Sequence, residues 1–141
     1  MGSTGTVFDE YERLYPFLKS DPYFVYNYAA RANYAGDLVR STALAEVCES
    51  MLDDYDVQML QADNFKRQGD FLRAEEHYRQ ASNMCPGRFM PLYELVNLYD
   101  ATGRKDEADT LARAIVLKPA KIPSGTVSAI KTKREKRFAD D

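Results

Sequence analysis

The most informative stretch of this sequence is residues 62–86, ADNFKRQGDFLRAEEHYRQASNMCP. Ala62 and Phe65 are three residues apart and predict one face of a helix. Gly69 predicts the turn that ends this helix, because glycine adopts a positive φ without steric cost. The second helix then carries small and aromatic residues at helical spacing: Ala74, Tyr78 and Ala81. Pro86 predicts its end, because proline lacks the N–H that a continuing helix requires. The stretch therefore predicts two antiparallel helices joined by a short turn.

The same pattern recurs further along the chain at a fixed offset. Gly69 and Ala74 are followed by Gly103 and Ala108, and the offset from the first pair to the second is the same for both residues. A fixed period of about 34 residues is typical of folds in which one pair of helices is repeated and stacked. An earlier pair around Gly36 is slightly out of phase, since the interval from Gly36 to Gly69 is one residue shorter than that from Gly69 to Gly103. The periodicity predicts an all-α fold of consecutive helix pairs.

This pattern resembles the tetratricopeptide repeat (TPR), in which a small and an aromatic residue on helix A meet alternating alanine and aromatic positions on helix B. The resemblance implies a superhelix of antiparallel helix pairs, with about three repeats, an N-terminal flanking helix and a C-terminal capping helix. The structural positions that it assigns are Ala62, Phe65, Gly69, Ala74, Tyr78, Ala81, Pro86, Tyr99, Gly103 and Ala108.

Capping and turn signals divide the chain into repeats. Asp21 and Pro22 predict the N-cap and the first residue of a helix, and Pro119 predicts the end of the third pair. The predicted divisions are 1–6, vector-derived or disordered; 7–20, a flanking helix or truncated repeat; 21–54, a divergent first repeat; 55–88, the second repeat; 89–119, the third repeat; and 120–141, an extended linker, a basic capping helix and a tail.

The net charge of −3 conceals an asymmetry along the chain. Residues 1–117 carry 12 basic and 19 acidic side chains, whereas residues 118–141 carry 7 basic and 3 acidic ones. The basic tail has no interleaved aromatic residues, so it predicts a solvated helix face and no nucleic-acid partner. Contact of the tail with anionic lipid or nucleic acid is the less favoured alternative.

No pattern in the sequence predicts catalysis. His77 is the sole histidine and is expected to be exposed, and neither Cys48 nor Cys85 belongs to a metal-binding motif. Phosphate-binding glycine loops and nucleophile elbows are also missing from the sequence. Acidic pairs such as Glu75 with Glu76 favour solubility over a catalytic dyad, because adjacent side chains on a helix diverge. We therefore expect a non-enzyme without catalytic residues, cofactor or metal.

The TPR resemblance implies a concave groove lined by helix A, which would bind a peptide or protein segment. The predicted groove residues are Tyr23, Tyr26, Asn33, Met59, Asp63, Lys66, Tyr93, Asn97 and Asp100. The alternative is that these are only solvated or packing residues of a short array. Met59 and Tyr93 stand where a carboxylate-binding adaptor would need a cation, so chaperone-adaptor activity is not expected. Stacking of exposed tyrosines such as Tyr23, Tyr26, Tyr34 and Tyr93 on a glycan is a minor alternative.

Nearly the whole chain also resembles one specific group of repeat regions. The relevant stretches are DPYF at 21–24, NYAA at 27–30, YDVQML at 55–60, MCPGRFMPLY at 84–93 and KPAKIPS at 118–124. They are similar to the C-terminal repeat region of Bacteroidetes O-antigen ligase or polymerase-like membrane proteins.

This resemblance implies a soluble tail on the periplasmic side of the bacterial inner membrane. The glycan-transfer chemistry of such proteins belongs to a separate membrane domain, so no catalytic residue transfers to this sequence. The tail would bind another protein or its own membrane domain, and it would contact the membrane only through spans upstream of residue 1. The alternative is an independent cytoplasmic adaptor that binds a peptide.

Overall fold

The computed structural model describes the backbone of residues 3–117 and the side chains of residues 8–117. This part of the chain contains only α-helices and turns, which confirms the predicted all-α class. The seven helices are α1 (Ser3–Leu18), α2 (Pro22–Tyr34), α3 (Leu38–Met51), α4 (Tyr55–Arg67), α5 (Phe71–Met84), α6 (Met90–Ala101) and α7 (Lys105–Leu117). None of these helices is both long and apolar enough to span a bilayer.

One boundary differs from the sequence prediction. Helix α1 begins at Ser3, before the predicted start at residue 7, because each residue added to an existing helix gains a backbone hydrogen bond at little further cost. Helix α7 ends at Leu117, and the predicted linker, capping helix and tail at 120–141 lie outside the described residues.

Aspartates begin several of the helices. The Asp21 carboxylate accepts a hydrogen bond from the Tyr23 N–H at 3.0 Å, and Pro22 occupies the first turn of α2. Asp37 and Asp54 cap α3 and α4 in the same way. Each cap satisfies a backbone donor that has no partner within its own helix.

The three predicted turn glycines share one backbone conformation. Gly36, Gly69 and Gly103 have φ values of 87°, 84° and 78°. In each turn the N–H after the glycine reaches back five residues to a carbonyl, as from Asp70 to Phe65 at 2.9 Å. This is the Schellman arrangement, in which a left-handed residue closes a helix C-terminus. The chain thus builds the same turn three times at the spacing of the repeat.

The structure divides into two compact units between Ala74 and Glu75. The core of the first unit combines α2, α3 and the start of α4: Val25, Tyr28, Ala29, Leu44, Ala45, Cys48 and Val57. Aromatic residues of α1 cover this core, and the Tyr11 ring stacks on the Tyr28 ring with centroids 4.8 Å apart. In the second unit the buried apolar residues of α6 and α7 are Leu95, Val96, Leu98, Tyr99, Ala108, Ala112 and Ile115.

The repeat positions assigned from the sequence are mostly interior. Seven of their side chains are buried, namely Ala62, Phe65, Ala74, Tyr78, Ala81, Tyr99 and Ala108. Pro86 is exposed and lies two residues beyond the end of α5 at Met84. Small buried residues of this kind allow helices to approach closely where they cross.

Candidate functional site

The predicted groove residues belong to both units. In the first unit α2 carries Tyr23, Tyr26 and Asn33, whereas α4 carries Met59, Asp63 and Lys66. In the second unit α6 carries Tyr93, Asn97 and Asp100, of which the first two are half-buried and the third is exposed. We refer to the first six residues, on α2 and α4, as the α2/α4 surface.

Asn33 and Asp63 meet directly across the α2/α4 surface. The Asn33 Nδ2 group donates to Asp63 Oδ2 and to Asn64 Oδ1, both at 2.8 Å. An amide nitrogen carries two hydrogens, so both are used within the protein. The structure therefore gives Asn33 an internal role that the sequence did not predict.

Asp63 also receives two cationic side chains from its own helix. Arg67 Nη1 lies 3.3 Å from Asp63 Oδ2, and Lys66 Nζ lies 3.8 Å from Asp63 Oδ1. The same Arg67 nitrogen donates to the carbonyl oxygen of Asn33 at 3.1 Å. We refer to Asn33, Asp63, Asn64, Lys66 and Arg67 as the Asn33 cluster.

A buried chain of hydrogen bonds supports the Asn33 cluster from beneath. Asn64 Nδ2 donates to Ser41 Oγ at 2.9 Å, and Ser41 Oγ donates to the Ala29 carbonyl at 2.7 Å. Asn64 and Ser41 are both fully buried. A buried polar group without a partner costs about 1–3 kcal/mol, so this chain fixes α2, α3 and α4 in one register.

The other end of the α2/α4 surface is aromatic and apolar. Tyr23 is 70% exposed, whereas Tyr26 is half-buried and packs against the core of the first unit. Burial raises the pKa of the Tyr26 phenol, and the carboxylates of Asp56 and Asp54 raise it further. Met59 is also half-buried. Tyr23 and Met59 are thus better placed than Tyr26 to contact a ligand without disturbing the core.

The second unit contains a polar cluster that sequence reasoning missed. Arg104 Nη1 lies 2.5 Å from Glu75 Oε1, Arg79 Nη2 lies 3.0 Å from Glu75 Oε2, and the Tyr99 hydroxyl donates to Glu75 Oε2 at 3.0 Å. Arg79 also donates to the Tyr99 hydroxyl, and the Arg104 guanidinium lies over the Tyr99 ring. The Glu75 side chain is only 13% exposed, so its predicted role as a solvated charge is wrong.

The charge of Glu75 depends on these partners. Burial alone would raise the pKa of the carboxyl, but the bonds from Arg104, Arg79 and Tyr99 bring the pKa below its usual range. One feature of the sequence could have indicated that Arg104 has a special partner. Aspartate follows the glycine in the first two turns, whereas Arg104 follows Gly103 and so predicts a different pairing there.

Arg40 forms a related bridge in the first unit. Its guanidinium lies 3.1 Å from Glu12 and 3.2 Å from Asp37, and it donates to the Tyr28 hydroxyl at 3.4 Å. The same group lies over the Phe8 ring, 4.7 Å from the centroid. Arg40 therefore joins α1, α2 and α3 and is not free to act on a ligand.

An open pocket lies beside the Arg40 ion pairs in the first unit, and another lies beside the Glu75 cluster in the second unit. In the first unit a hollow of about 320 Å³ runs past Tyr28 and Arg40 to the aliphatic side chains of Leu44 and Val47. In the second unit a hollow of about 590 Å³ extends between α5, α6 and α7 over Leu95 and other aliphatic residues. Both volumes fall in the range of small-molecule and side-chain pockets.

Reactive groups are not gathered at any of these places. Across the part of the chain that the structure describes, no three histidine, cysteine or acidic side chains converge on a position suited to a metal ion. Cys48 is buried, and burial raises the pKa of its thiol, which disfavours a reactive thiolate. His77 is half-buried, although exposure was predicted.

No protein-family model matches the sequence, and a search of curated proteins finds no match to it.

Proposed function

We propose that this chain is a non-catalytic protein-interaction module of the TPR type. The observation that carries the proposal is the recurrence of one helical hairpin. Gly36, Gly69 and Gly103 close the first helix of each pair with the same backbone conformation, at nearly equal intervals along the chain. Stacked hairpins of this kind commonly serve as extended binding surfaces.

The α2/α4 surface suits an extended protein segment. Tyr23 and Met59 offer aromatic and apolar contacts, and the Asn33 cluster offers fixed polar groups at the other end. Affinity would come from burial of the apolar groups, whereas direction and selectivity would come from the polar ones.

The chemistry of the titratable groups favours binding over catalysis. Glu75 is held ionised by Arg104 and Arg79, so at neutral pH it has no proton to donate. Its hydrogen bonds bind it firmly within its own unit. We infer that these groups stabilise the fold and that the module needs neither cofactor nor metal.

Within this role, we propose that the chain is the soluble tail of an O-antigen ligase or polymerase-like surface-polysaccharide protein. The support is the similarity of the stretches at 21–24, 27–30, 55–60, 84–93 and 118–124. Such a tail would lie on the periplasmic side of the inner membrane. The alternative is an independent cytoplasmic TPR adaptor. Membrane spans encoded in frame upstream of residue 1 would favour the tail, whereas a start codon at that position would favour the adaptor.

The interaction role can be tested by affinity capture from separate envelope and cytosolic extracts of a Gram-negative bacterium. The surface variant combines Tyr23→Ala with Met59→Ala, and the matched control is Val39→Ala, which truncates a side chain that is 76% exposed on α3. We expect a protein that the wild type and the control retain and the surface variant loses. Equal retention by all three would contradict binding at the α2/α4 surface.

A further inference from the structure

The open pocket of the second unit has an apolar lining. It has a volume of about 590 Å³ and is bordered by residues of α5, α6 and α7. Leu92 and Leu95 of α6 and Leu111 and Ala114 of α7 supply the lining. Leu95 is buried, whereas Leu92 and Leu111 are half-buried and remain accessible from solvent. An aliphatic or aromatic side chain bound here would remove this apolar surface from water.

One carboxylate at this pocket has no partner. Asp106 lies in the first turn of α7 and lines the pocket, and its side chain is exposed. Among the residues that the structure describes, no donor or cation binds the Asp106 carboxylate. The Thr110 hydroxyl donates to the backbone carbonyl of Asp106, at 2.9 Å, and not to its side chain. The charge of Asp106 is therefore available to a ligand.

The cations at the pocket are already paired with carboxylates. Arg79 and Arg104 share Glu75, at 3.0 and 2.5 Å, and Arg104 also lies 2.6 Å from Glu107. Arg79, Asp106 and Glu107 are the charged residues of the lining. Together with their partners they comprise three carboxylates and two guanidinium groups, which leaves an excess of one negative charge. This charge favours a cationic ligand over an anionic one.

The end of α5 adds partial negative charge at the same pocket. Ser82 and Asn83 line the pocket and belong to the last turn of α5, which ends at Met84. The last carbonyl groups of a helix carry the negative end of its dipole. This turn contains no basic side chain that would offset the charge. The helix end and the Asp106 carboxylate thus favour the same kind of ligand.

We propose that this pocket binds a basic amphipathic segment of a partner protein. A bulky apolar side chain of the segment contacts Leu92 and Leu111, and a neighbouring lysine or arginine contacts Asp106. The charge of the pocket selects this occupant, because an acidic segment would face an unpaired carboxylate and a helix C-terminus. The α2/α4 surface belongs to the first unit, so this second contact does not rest on the function proposed for that surface.

The test uses three fluorescent probe peptides of equal length. The first has a central pair of leucines flanked by lysines, the second has glutamates in place of the lysines, and the third has serines in place of the leucines. Each peptide is titrated into the full chain and its variants. Asp106→Asn removes the unpaired charge, and Glu76→Gln is the matched control, because Glu76 is an exposed acid of α5 outside the lining. Ala114→Phe fills the pocket, and Ala101→Phe places the same side chain at an exposed position of α6 outside it.

We expect the lysine peptide to bind more tightly than the other two. Asp106→Asn should weaken its binding about two- to fivefold at low salt, as for an exposed ion pair, and less at high salt. The same change should not weaken binding of the glutamate peptide. Ala114→Phe should weaken binding of the lysine peptide about tenfold or more, because the leucines lose their place. Both controls should behave like the wild type. Binding that is unchanged in Asp106→Asn and in Ala114→Phe overturns the proposal, as does the absence of binding by the lysine peptide.

Methyl NMR identifies the occupant directly. Nuclear Overhauser contacts should join the leucines of the lysine peptide to the methyl groups of Leu92 and Leu111. Contacts of these methyl groups with residues 118–141 in the free protein would overturn the proposal, because the chain would then fill its own pocket. Loss of peptide binding only when Tyr23→Ala is combined with Met59→Ala would also overturn it, and would leave the proposed function of the α2/α4 surface standing.

Discussion

Glu75 carries its charge where burial alone would favour the neutral acid. Its pKa nevertheless lies below the usual value of 4.5, because Arg104, Arg79 and Tyr99 bind the ionised form. A carboxyl with a lowered pKa in the folded state stabilises the protein fully above its unfolded pKa, and this contribution is lost as the pH falls through the folded pKa. We therefore expect the contribution of Glu75 to the free energy of unfolding to be present at pH 7 and to be lost as the pH falls below about 4.5.

The residue-scale prediction is that Glu75→Gln lowers the free energy of unfolding by about 1–3 kcal/mol at pH 7, because two arginines lose their shared carboxylate. At pH 3 the variant and the wild type should differ less. Urea unfolding at the two pH values measures both effects. The neighbouring Glu76→Gln is the control, since Glu76 is exposed. Equal losses at both pH values would contradict the proposed role of the charge.

Asn64 is the buried link of the Asn33 cluster. Its truncation to alanine leaves Asn33 and Ser41 without one partner each, so we expect the free energy of unfolding to fall by about 1–3 kcal/mol. Asn27→Ala, at an exposed position on α2, should change it by less than about 0.5 kcal/mol. Combining Asn64→Ala with Ser41→Ala should cost less than the sum of the single changes, because the two side chains share one hydrogen bond.

At the scale of elements, the repeated glycine turn sets where each helix pair reverses. A Cβ added at Gly36, Gly69 or Gly103 would meet no atom within 4 Å, so the cost of alanine lies in the backbone conformation itself. We expect each of these glycine-to-alanine changes to lower the free energy of unfolding by about 1–2 kcal/mol. Gly87→Ala is the matched control, because φ at Gly87 is not positive. Thermal unfolding of the four variants measures these effects. A Gly87→Ala effect as large as the other three would refute this explanation.

The fully buried alanines mark where helices leave no room for larger side chains. Ala74→Leu and Ala108→Leu should each destabilise the protein by about 1–3 kcal/mol through overpacking. Ala101→Leu, at an exposed position of α6, should be tolerated. Melting temperatures measure the difference. Unchanged values for both buried sites would mean that the assigned repeat register is wrong.

The sequence predicted the elements well because their boundaries depend on local chemistry. Asp21 and Pro22 begin α2, and the glycines end helices, through interactions that span only a few residues. The partners of individual polar side chains were not predicted. Glu75 and Arg104 are 29 residues apart, and Asn33 and Asp63 are 30 apart, so only the packing of helices brings them together.

The candidate site was also hard to predict, because its side chains pair with residues that are far away in the sequence. Asn33 and Asp63 were expected to face a ligand, yet they bind one another. Arg67 was not among the predicted site residues, although its position one turn after Asp63 on α4 places it beside them. Composition at groove positions identifies polar residues but not which of their atoms remain available.

At the scale of the whole molecule, the division into two units predicts which helices lose stability when one residue is changed. In the first unit α2 contacts α3 and α4, and in the second unit α6 contacts α7. Where each hairpin is stabilised mainly by its neighbours, a local change lowers local stability most. Gly36→Ala should therefore accelerate amide hydrogen exchange in α2 and α3 far more than in α6 and α7.

The reciprocal variant completes the experiment. Gly103→Ala should accelerate exchange in α6 and α7 and leave α2 and α3 close to the wild type, as followed by mass spectrometry of peptides from each helix. Both changes impose the same positive-φ penalty, so any difference in pattern reflects position and not severity. If either variant accelerated exchange equally in both units, the chain would unfold as one cooperative body. A localised response would instead mean that one unit can open while the other stays folded, so that binding at the α2/α4 surface would depend chiefly on the stability of the first unit.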